Sequence, residues 1–106
     1  MSSEWKEIGS RLKALREAKG ISSQTSFARL LGAEVNQYGN WERGVGPITV
    51  EYAIRVCVFT GATLDYIYRG DLSSLPANLM MLVSGSSAEE TTETRRASTS
   101  RKRSSK

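Results

Sequence analysis

Glycine residues divide the first seventy positions of the chain into short segments with apolar residues at helical spacing. Glycine readily adopts the left-handed conformation that ends a helix at its C-terminus. Within the segments, apolar residues recur at steps of three and four, which is typical of amphipathic helices. The pattern predicts an all-α fold with five helices at residues ~4–19, 24–31, 35–43, 50–60 and 64–69. The glycines that end them are Gly20, Gly32, Gly44, Gly61 and Gly70.

The predicted core comes from the apolar face of each helix. Cys57 belongs to one of these faces and is interpreted as a small buried apolar residue, since no neighbour supplies the lowered pKa of a redox sensor. The in-phase positions are Trp5, Ile8, Leu12 and Leu15 in the first helix, Phe27, Ala28 and Leu31 in the second, Val35, Tyr38 and Trp41 in the third, Val50, Ala53, Ile54, Cys57 and Val58 in the fourth, and Leu64, Ile67 and Tyr68 in the fifth.

Polar residues at the predicted helix starts can accept hydrogen bonds from free backbone N–H groups. Ser22 or Ser23 is expected to cap the second helix, and Thr49 and Thr63 the fourth and fifth. Glu34, at the entry of the third helix, is either a cap or a groove residue that accepts from cytosine. Capping is the preferred interpretation.

The segment from Leu72 to Val83 has two interpretations. Pro76 can start a helix, and the apolar residues that follow it are too many to leave in water. The segment therefore either completes the monomer core as a sixth helix or forms the patch through which two copies meet.

The composition changes after this segment. From residue 84 onward only Ala88 and Ala97 are apolar, so no core can form and we expect disorder. The predicted organisation is a folded domain at residues 4–83 followed by a disordered tail at residues 84–106.

Most of the excess positive charge also lies in this tail. Lys and Arg number 15 against 11 Asp and Glu, a net charge of +4. Residues 84–106 hold six of the cations and three of the glutamates, a net of +3, which leaves +1 for residues 1–83. Bulk charge is thus a weak indication that the folded domain binds a polyanion. The run from Arg101 to Arg103 has three interpretations. In order of preference they are a solvated tail, a non-specific DNA tether and a chance likeness to a nuclear-localisation signal.

The cysteine and histidine counts bear on enzymatic function. With one cysteine and no histidine, the chain lacks intramolecular disulfides, histidine acid–base chemistry and the usual zinc ligand sets. We also find no phosphate-cradling glycine loop and no paired carboxylates, so an enzyme or a cofactor is not expected. No small-molecule effector is evident, because no ligand-binding domain is expected after residue 83. No apolar run is long enough for a membrane span, and the first residues lack a signal pattern, so a cytoplasmic location is expected.

Five groups of residues together resemble a known family. The order and spacing of these groups are similar to those of the lambda-repressor/Cro (XRE-type) helix-turn-helix regulators, over about residues 8–70. The resemblance implies a compact five-helix domain in which the third helix lies in the major groove of DNA. The groups are Arg11-Leu12-Lys13-Ala14-Leu15-Arg16, Gln24-Thr25-Ser26-Phe27-Ala28, Gly32, Trp41-Glu42-Arg43-Gly44 and Thr60-Gly61-Ala62-Thr63-Leu64-Asp65-Tyr66-Ile67.

The resemblance also implies roles for single residues. Gln24, which opens the second helix, is expected to contact a phosphate, and Arg43 is expected to lie along the sugar-phosphate strand. Amide side chains on the third helix can pair with adenine, and a valine can meet a thymine methyl, so a half-site containing A·T pairs is expected. The expected base-reading residues are Val35, Asn36, Gln37 and Asn40.

One further match is structural. Arg16 and Glu42 correspond to a partly buried ion pair of the family, which links the first helix to the end of the third. Neither residue is expected to touch a base, and removal of either should destabilise the fold.

The sequence as a whole predicts a sequence-specific regulator of transcription, a repressor, that binds double-stranded DNA as a homodimer. The alternative is a protein-interaction adaptor or antitoxin-like module that keeps the fold but binds DNA weakly. The nearly neutral folded domain, the acidic Glu34 and the glycine at position 39, inside the third helix, favour this alternative.

Overall fold

A computed structural model describes residues 3–91 of the chain, with side chains from residue 4 to residue 84. Every regular element in this part is helical, which confirms the predicted all-α fold. None of these helices has both the length and the apolar character that crossing a membrane requires. The elements are α1 (Ser3–Ala18), α2 (Gln24–Leu31), α3 (Val35–Arg43), α4 (Val50–Thr60), a π-helix (Asp65–Arg69), a 3-10 turn (Leu72–Ser74) and α5 (Ala77–Thr91).

The first helix, α1, is the element around which the others pack. Leu12 and Leu15 on its inner face are fully buried, and Ile8 is nearly so. Trp5, predicted to join the same face, is only half-buried at the end of the helix. The inner face contacts α3, the π-helix and α5, so a single helix positions elements from both halves of the domain.

The bounds of α2 and α3 are those predicted, because both ends of each helix are set locally. The Ser23 hydroxyl accepts from the Ser26 N–H at 3.2 Å, and the Glu34 carboxylate accepts from the Gln37 N–H at 2.8 Å. Gly32 and Gly44 end the two helices with φ angles of 78° and 80°, in the left-handed region. The preferred interpretation of Glu34 as a cap is confirmed.

Aromatic side chains hold α3 against its neighbours. The rings of Phe27 and Tyr38 meet edge to face at 5.5 Å, and those of Tyr38 and Trp41 at 6.1 Å. All three side chains are buried. The inner face of α3 is therefore fixed by packing, which offsets the low helix propensity of Gly39.

The face of α4 that was predicted to be buried is mostly exposed. Ala53 is buried as expected, but Val50, Ile54 and Val58 are 57%, 47% and 81% exposed. Cys57 is half-buried rather than buried, and burial raises the pKa of its thiol, which makes it less reactive.

The observed inner face of α4 consists instead of Ala53, Val56 and Thr60. A threonine can occupy the core here because its hydroxyl donates to the Val56 carbonyl at 2.7 Å and accepts from the Ala62 N–H at 3.1 Å. Since α4 carries apolar residues on every side, the hydrophobic pattern alone did not distinguish its buried face.

The two predicted threonine caps differ in outcome. Thr63 caps the π-helix, since its hydroxyl accepts from the Tyr66 N–H at 3.0 Å. Thr49 precedes α4 but makes no hydrogen bond to it through its side chain, so that prediction is wrong in mechanism. Its backbone carbonyl instead accepts from the Ala53 N–H at 2.9 Å, within the first helical turn.

In the region of the π-helix, the buried residues differ from the predicted three, Leu64, Ile67 and Tyr68. Ile67 is buried as expected and Tyr66 joins it, whereas Leu64 is 37% exposed and Tyr68 is half-buried. The Tyr68 hydroxyl donates to the Ile48 carbonyl at 2.7 Å, which satisfies the polar end of this half-buried ring.

The segment from Leu72 to Val83 completes the monomer with the 3-10 turn and the start of α5. Leu75, Leu79 and Val83 are buried, and α5 packs on α1. The interpretation as part of the monomer core is thereby confirmed. The predicted tail boundary at residue 84 falls inside α5, which ends at Thr91, and the rest of that tail, residues 92–106, lies outside the described residues.

Glycine at position 9 allows α1 to approach the end of α3 closely. Gly9 is buried, and a Cβ atom there would lie 2.4 Å from the Glu42 carbonyl oxygen and 2.5 Å from the Trp41 carbonyl oxygen. Both are backbone atoms of α3, so they cannot rotate away. The closest contact between the two helices thus requires a residue without a side chain.

We predict that Gly9→Ala lowers the free energy of unfolding by about 1–3 kcal/mol, because α1 must move away from α3. The neighbouring exposed Ser10→Ala is the control and should change stability by less than about 0.5 kcal/mol. Urea unfolding followed by circular dichroism measures both. A Gly9→Ala protein as stable as the wild type would contradict the close approach.

Candidate nucleic-acid interface

Two short helices joined by a tight turn form the centre of the candidate interface. α2 ends at Gly32 and α3 starts at Val35, so Gly32, Ala33 and Glu34 make the whole connection. The Ala33 N–H donates to the Ala28 carbonyl at 2.9 Å, which fixes the direction in which the chain leaves α2. α3 is therefore held at a fixed angle beside α2.

The outer face of α3 is polar and accessible. Asn36, Gln37 and Arg43 are exposed and Asn40 is half-buried. Asn36, Asn40 and Arg43 are spaced four and three residues apart, so they share one side of the helix. Val35 is half-buried and packs partly against the core, so only part of its side chain can meet a ligand.

The opposite end of α3 carries a buried carboxylate, that of Glu42. Arg16 donates to it twice, from Nε to Oε2 at 2.8 Å and from Nη2 to Oε1 at 3.2 Å. The two side chains are only 5% and 2% exposed, so the predicted buried ion pair is present. The hydrogen bond to Glu42 raises the pKa of Arg16 above its ordinary value.

Two more side chains donate to this carboxylate. The Tyr38 hydroxyl reaches Oε2 at 2.6 Å, and the Gln24 amide reaches Oε1 at 2.9 Å. Arg16 also donates from Nη1 to the Ile21 carbonyl at 2.9 Å, in the loop before α2. The carboxylate thus joins α1, α2 and α3, whereas only its link to α1 was predicted.

The contact of Tyr38 with Glu42 could have been predicted from the sequence. Tyr38 lies four residues before Glu42, so the two side chains share one side of α3. The contribution of Gln24 carries no such signal, because its partner lies eighteen positions away on another helix.

Gln24, predicted to contact a phosphate, is half-buried at the start of α2. One of its two amide protons is used by Glu42, which leaves the second for another acceptor. The structure thus gives Gln24 a role in joining helices, and phosphate contact stays a prediction.

Asn40 and Arg43 contact each other, since Arg43 Nη2 donates to Asn40 Oδ1. Gly39 lies beneath them. A Cβ at this position would be 3.2 Å from Arg43 Nη1 and 3.3 Å from Gln24 Oε1. The missing side chain therefore leaves room for two of the predicted contact residues beside the helix.

A short helix held against α1 and α2 by its inner face, with its polar outer face exposed, defines the DNA-binding helix-turn-helix class. Residues 12–67, just over half of the chain, match the family model described as Helix-turn-helix. The chain belongs to the XRE-type helix-turn-helix family. Comparisons with curated proteins and with solved structures gave no significant match.

We predict that Arg16→Ala lowers the free energy of unfolding by about 3–5 kcal/mol, because it leaves the Glu42 carboxylate buried without its counter-charge. Arg69→Ala is the matched control. Arg69 pairs with Asp65 at 3.7 Å, with side chains 74% and 57% exposed, so its loss should cost less than about 1 kcal/mol. Denaturant unfolding of both proteins measures the difference. Equal losses would contradict a structural role for the Arg16 pair.

A second prediction concerns alkaline stability. Burial raises the pKa of the Tyr38 hydroxyl above its ordinary value of 10.0, and Glu42 raises it further. The unfolded chain therefore loses this proton first, so stability is full below about pH 10 and decreases as the pH rises beyond it.

Tyr38→Phe removes that titration together with one hydrogen bond to a carboxylate. We expect a loss of about 1–3 kcal/mol at neutral pH and a shallower fall in melting temperature between about pH 9 and pH 11 than in the wild type. Thermal melts over this range measure both effects. Wild-type and variant curves that stay parallel would show that Tyr38 does not contribute to the alkaline loss.

Proposed function

We propose that the chain is a sequence-specific regulator of transcription, acting as a repressor, that reads the major groove of double-stranded DNA with α3. The observation that carries the proposal is the division of α3 into two faces. Tyr38 and Trp41 are buried and fix the helix, whereas Asn36 and Gln37 are exposed and contribute nothing to the core. Exposed amides on a rigidly held helix of this class are suited to base contacts.

The expected contacts follow from the chemistry of the side chains. Asn36 and Gln37 can each accept from and donate to the N6 and N7 positions of adenine. Asn40 already accepts from Arg43, so its amide N–H groups are the part available to an acceptor on a base. The exposed part of Val35 can meet a thymine methyl. An operator half-site containing A·T pairs is the expected preference.

Contacts to the DNA backbone set the register of the helix in the groove. The Arg43 guanidinium is exposed at the end of α3 and can reach a phosphate while it remains beside Asn40. The second amide proton of Gln24, close to the N-terminus of α2, can serve a phosphate at the other side of the groove. Repression then requires only that the operator be occupied.

A homodimer is part of the proposal. α3 has nine residues, and a helix of this length reaches only a few base pairs. Two copies related by a two-fold axis would read two half-sites about 34–36 Å apart, and the operator would then be palindromic.

Selection of bound sites from random-sequence DNA tests the proposal. The wild-type chain should enrich a palindromic motif with A·T pairs in each half-site. Asn36→Ala should relax preference at one position per half-site by about 1–3 kcal/mol, because it removes a bidentate contact. Asn78→Ala, the same change at an exposed position on α5, is the control and should leave the motif unchanged.

A truncated chain separates the regulator from the adaptor or antitoxin-like alternative. Deleting residues 92–106 removes six cations beyond the end of α5. For a regulator, this deletion should reduce the salt dependence of binding and leave the selected motif intact, since tail cations contribute no base reading. If the wild-type chain enriches no motif and the deletion abolishes DNA binding, the adaptor alternative replaces the regulator.

A further inference from the structure

Exposed apolar side chains are concentrated on one surface formed by α2 and α4. Ten large apolar residues are exposed in the part of the chain that the structure describes, and half of them lie on these two helices. The rest are spread over the α3–α4 loop, the π-helix region and α5. The five are Leu30, Val50, Ile54, Val58 and Phe59, with exposures of 58%, 57%, 47%, 81% and 41%.

The centre of this surface is a stripe along α4. Val50, Ile54 and Val58 follow one another at intervals of four residues, so they form a continuous ridge on one side of the helix. Beside the ridge, α2 and α4 enclose an open groove of about 620 Å³, whose lining includes Leu30 and Phe59. A ridge next to a groove is the form that a second helix can pack against.

A pair of opposite charges flanks the ridge. Glu51 and Arg55 each follow a ridge residue, and they pair along α4 at 3.2 Å with side chains 68% and 46% exposed. Arg55 is also held from below, since its Nη1 donates to the Leu31 carbonyl at 2.8 Å and its guanidinium lies 4.7 Å from the Tyr52 ring centroid. The cation is therefore fixed at the edge of the apolar surface.

We propose that a second copy of this chain docks on this surface, with the two α4 helices antiparallel and crossing at Ile54. The proposal rests on the homodimer of the proposed function and assigns its interface. The apolar residues of the Leu72–Val83 segment that face inward, Leu75, Leu79 and Val83, are already buried within the monomer. Among the side chains that the structure describes, three large apolar residues of that segment are exposed, Leu72, Met81 and Leu82, against five on the α2–α4 surface.

The charge pattern favours a second copy over a different partner. In a two-fold pair of antiparallel helices, each flank of one helix meets the same flank of its mate, with the direction reversed. Glu51 then lies close to the partner's Arg55, and Arg55 close to the partner's Glu51, while Val50 meets the partner's Val58. The surface is thus complementary to itself in both charge and apolar character.

The chain's own C-terminal residues do not suit the groove. Residues 92–106 contain one apolar residue, Ala97, and six cations. Burying six cations against an apolar ridge beside Arg29 and Arg55 would desolvate more charge than the one carboxylate on its flank, that of Glu51, can pair.

Sedimentation velocity of the full chain over a range of concentrations tests the interface, with Ile54→Asp and Met81→Asp compared. Ile54→Asp should weaken self-association by a factor of about thirty or more, because it places a carboxylate at the centre of the contact. Met81 is 73% exposed on α5, so Met81→Asp should associate as the wild type does. Circular dichroism melts confirm that each variant is folded.

Exchanging the charges of Glu51 and Arg55 gives a second test. Heterodimer formation would not be expected if these residues only stabilised the monomer. Glu51→Arg makes the flank of the ridge cationic, and Arg55→Glu makes it anionic. Each variant alone should self-associate less than the wild type, whereas an equimolar mixture should form heterodimers. A mixture that stays monomeric, or loss of association in Met81→Asp rather than Ile54→Asp, overturns the proposed interface.

The outcomes separate this inference from the proposed function. If the chain dimerises through α4 but selects no DNA motif, the proposed interface stands and the proposed regulatory function is wrong. If the chain selects a motif but is monomeric both free and on DNA, the proposed interface is wrong. The α2–α4 surface would then be available to a different protein. An Ile54→Asp protein that binds a single half-site with unchanged preference supports both.

Discussion

The buried carboxylate of Glu42 is the interaction on which the rest of the structure depends. It accepts hydrogen bonds from Arg16 on α1, Gln24 on α2 and Tyr38 on α3. A carboxylate removed from water is tolerated only when it is paired and hydrogen-bonded, so the three helices must stay in register for its charge to be satisfied. The same register brings the backbone of α3 against Gly9, where no side chain would fit.

This arrangement places the aromatic core contacts of α3 and its buried carboxylate on the inner side of the helix. Its inner residues pack on the core and its last turn carries the carboxylate, whereas the side chains of Asn36 and Gln37 are exposed and lie outside the core. The two faces of α4 are divided in a similar way, except that its outer face is apolar. In our proposals, the outer face of α3 contacts DNA and the outer face of α4 contacts another copy of the chain.

The local features of the fold could be predicted from the sequence, and the long-range ones only in part. The ends of α2 and α3 depend on Ser23, Glu34 and two glycines within the same few residues, so they were predicted correctly. The buried face of α4 was not predicted correctly, because α4 carries apolar residues on every side. In addition, the Thr60 hydroxyl donates to the Val56 carbonyl, which allows a polar residue on the buried face. The contact of Gln24 with Glu42 depends on how two helices pack, which no local pattern records.

The most direct test of the account is a titration of the isotope-labelled chain with its selected DNA site, followed by backbone and side-chain amide resonances in NMR spectra. If α3 is the reading helix, the side-chain amides of Asn36, Gln37 and Asn40 should shift most, and the resonances of α5 should move little. Large shifts confined to α4 or α5, with the amides of α3 unchanged, would contradict it.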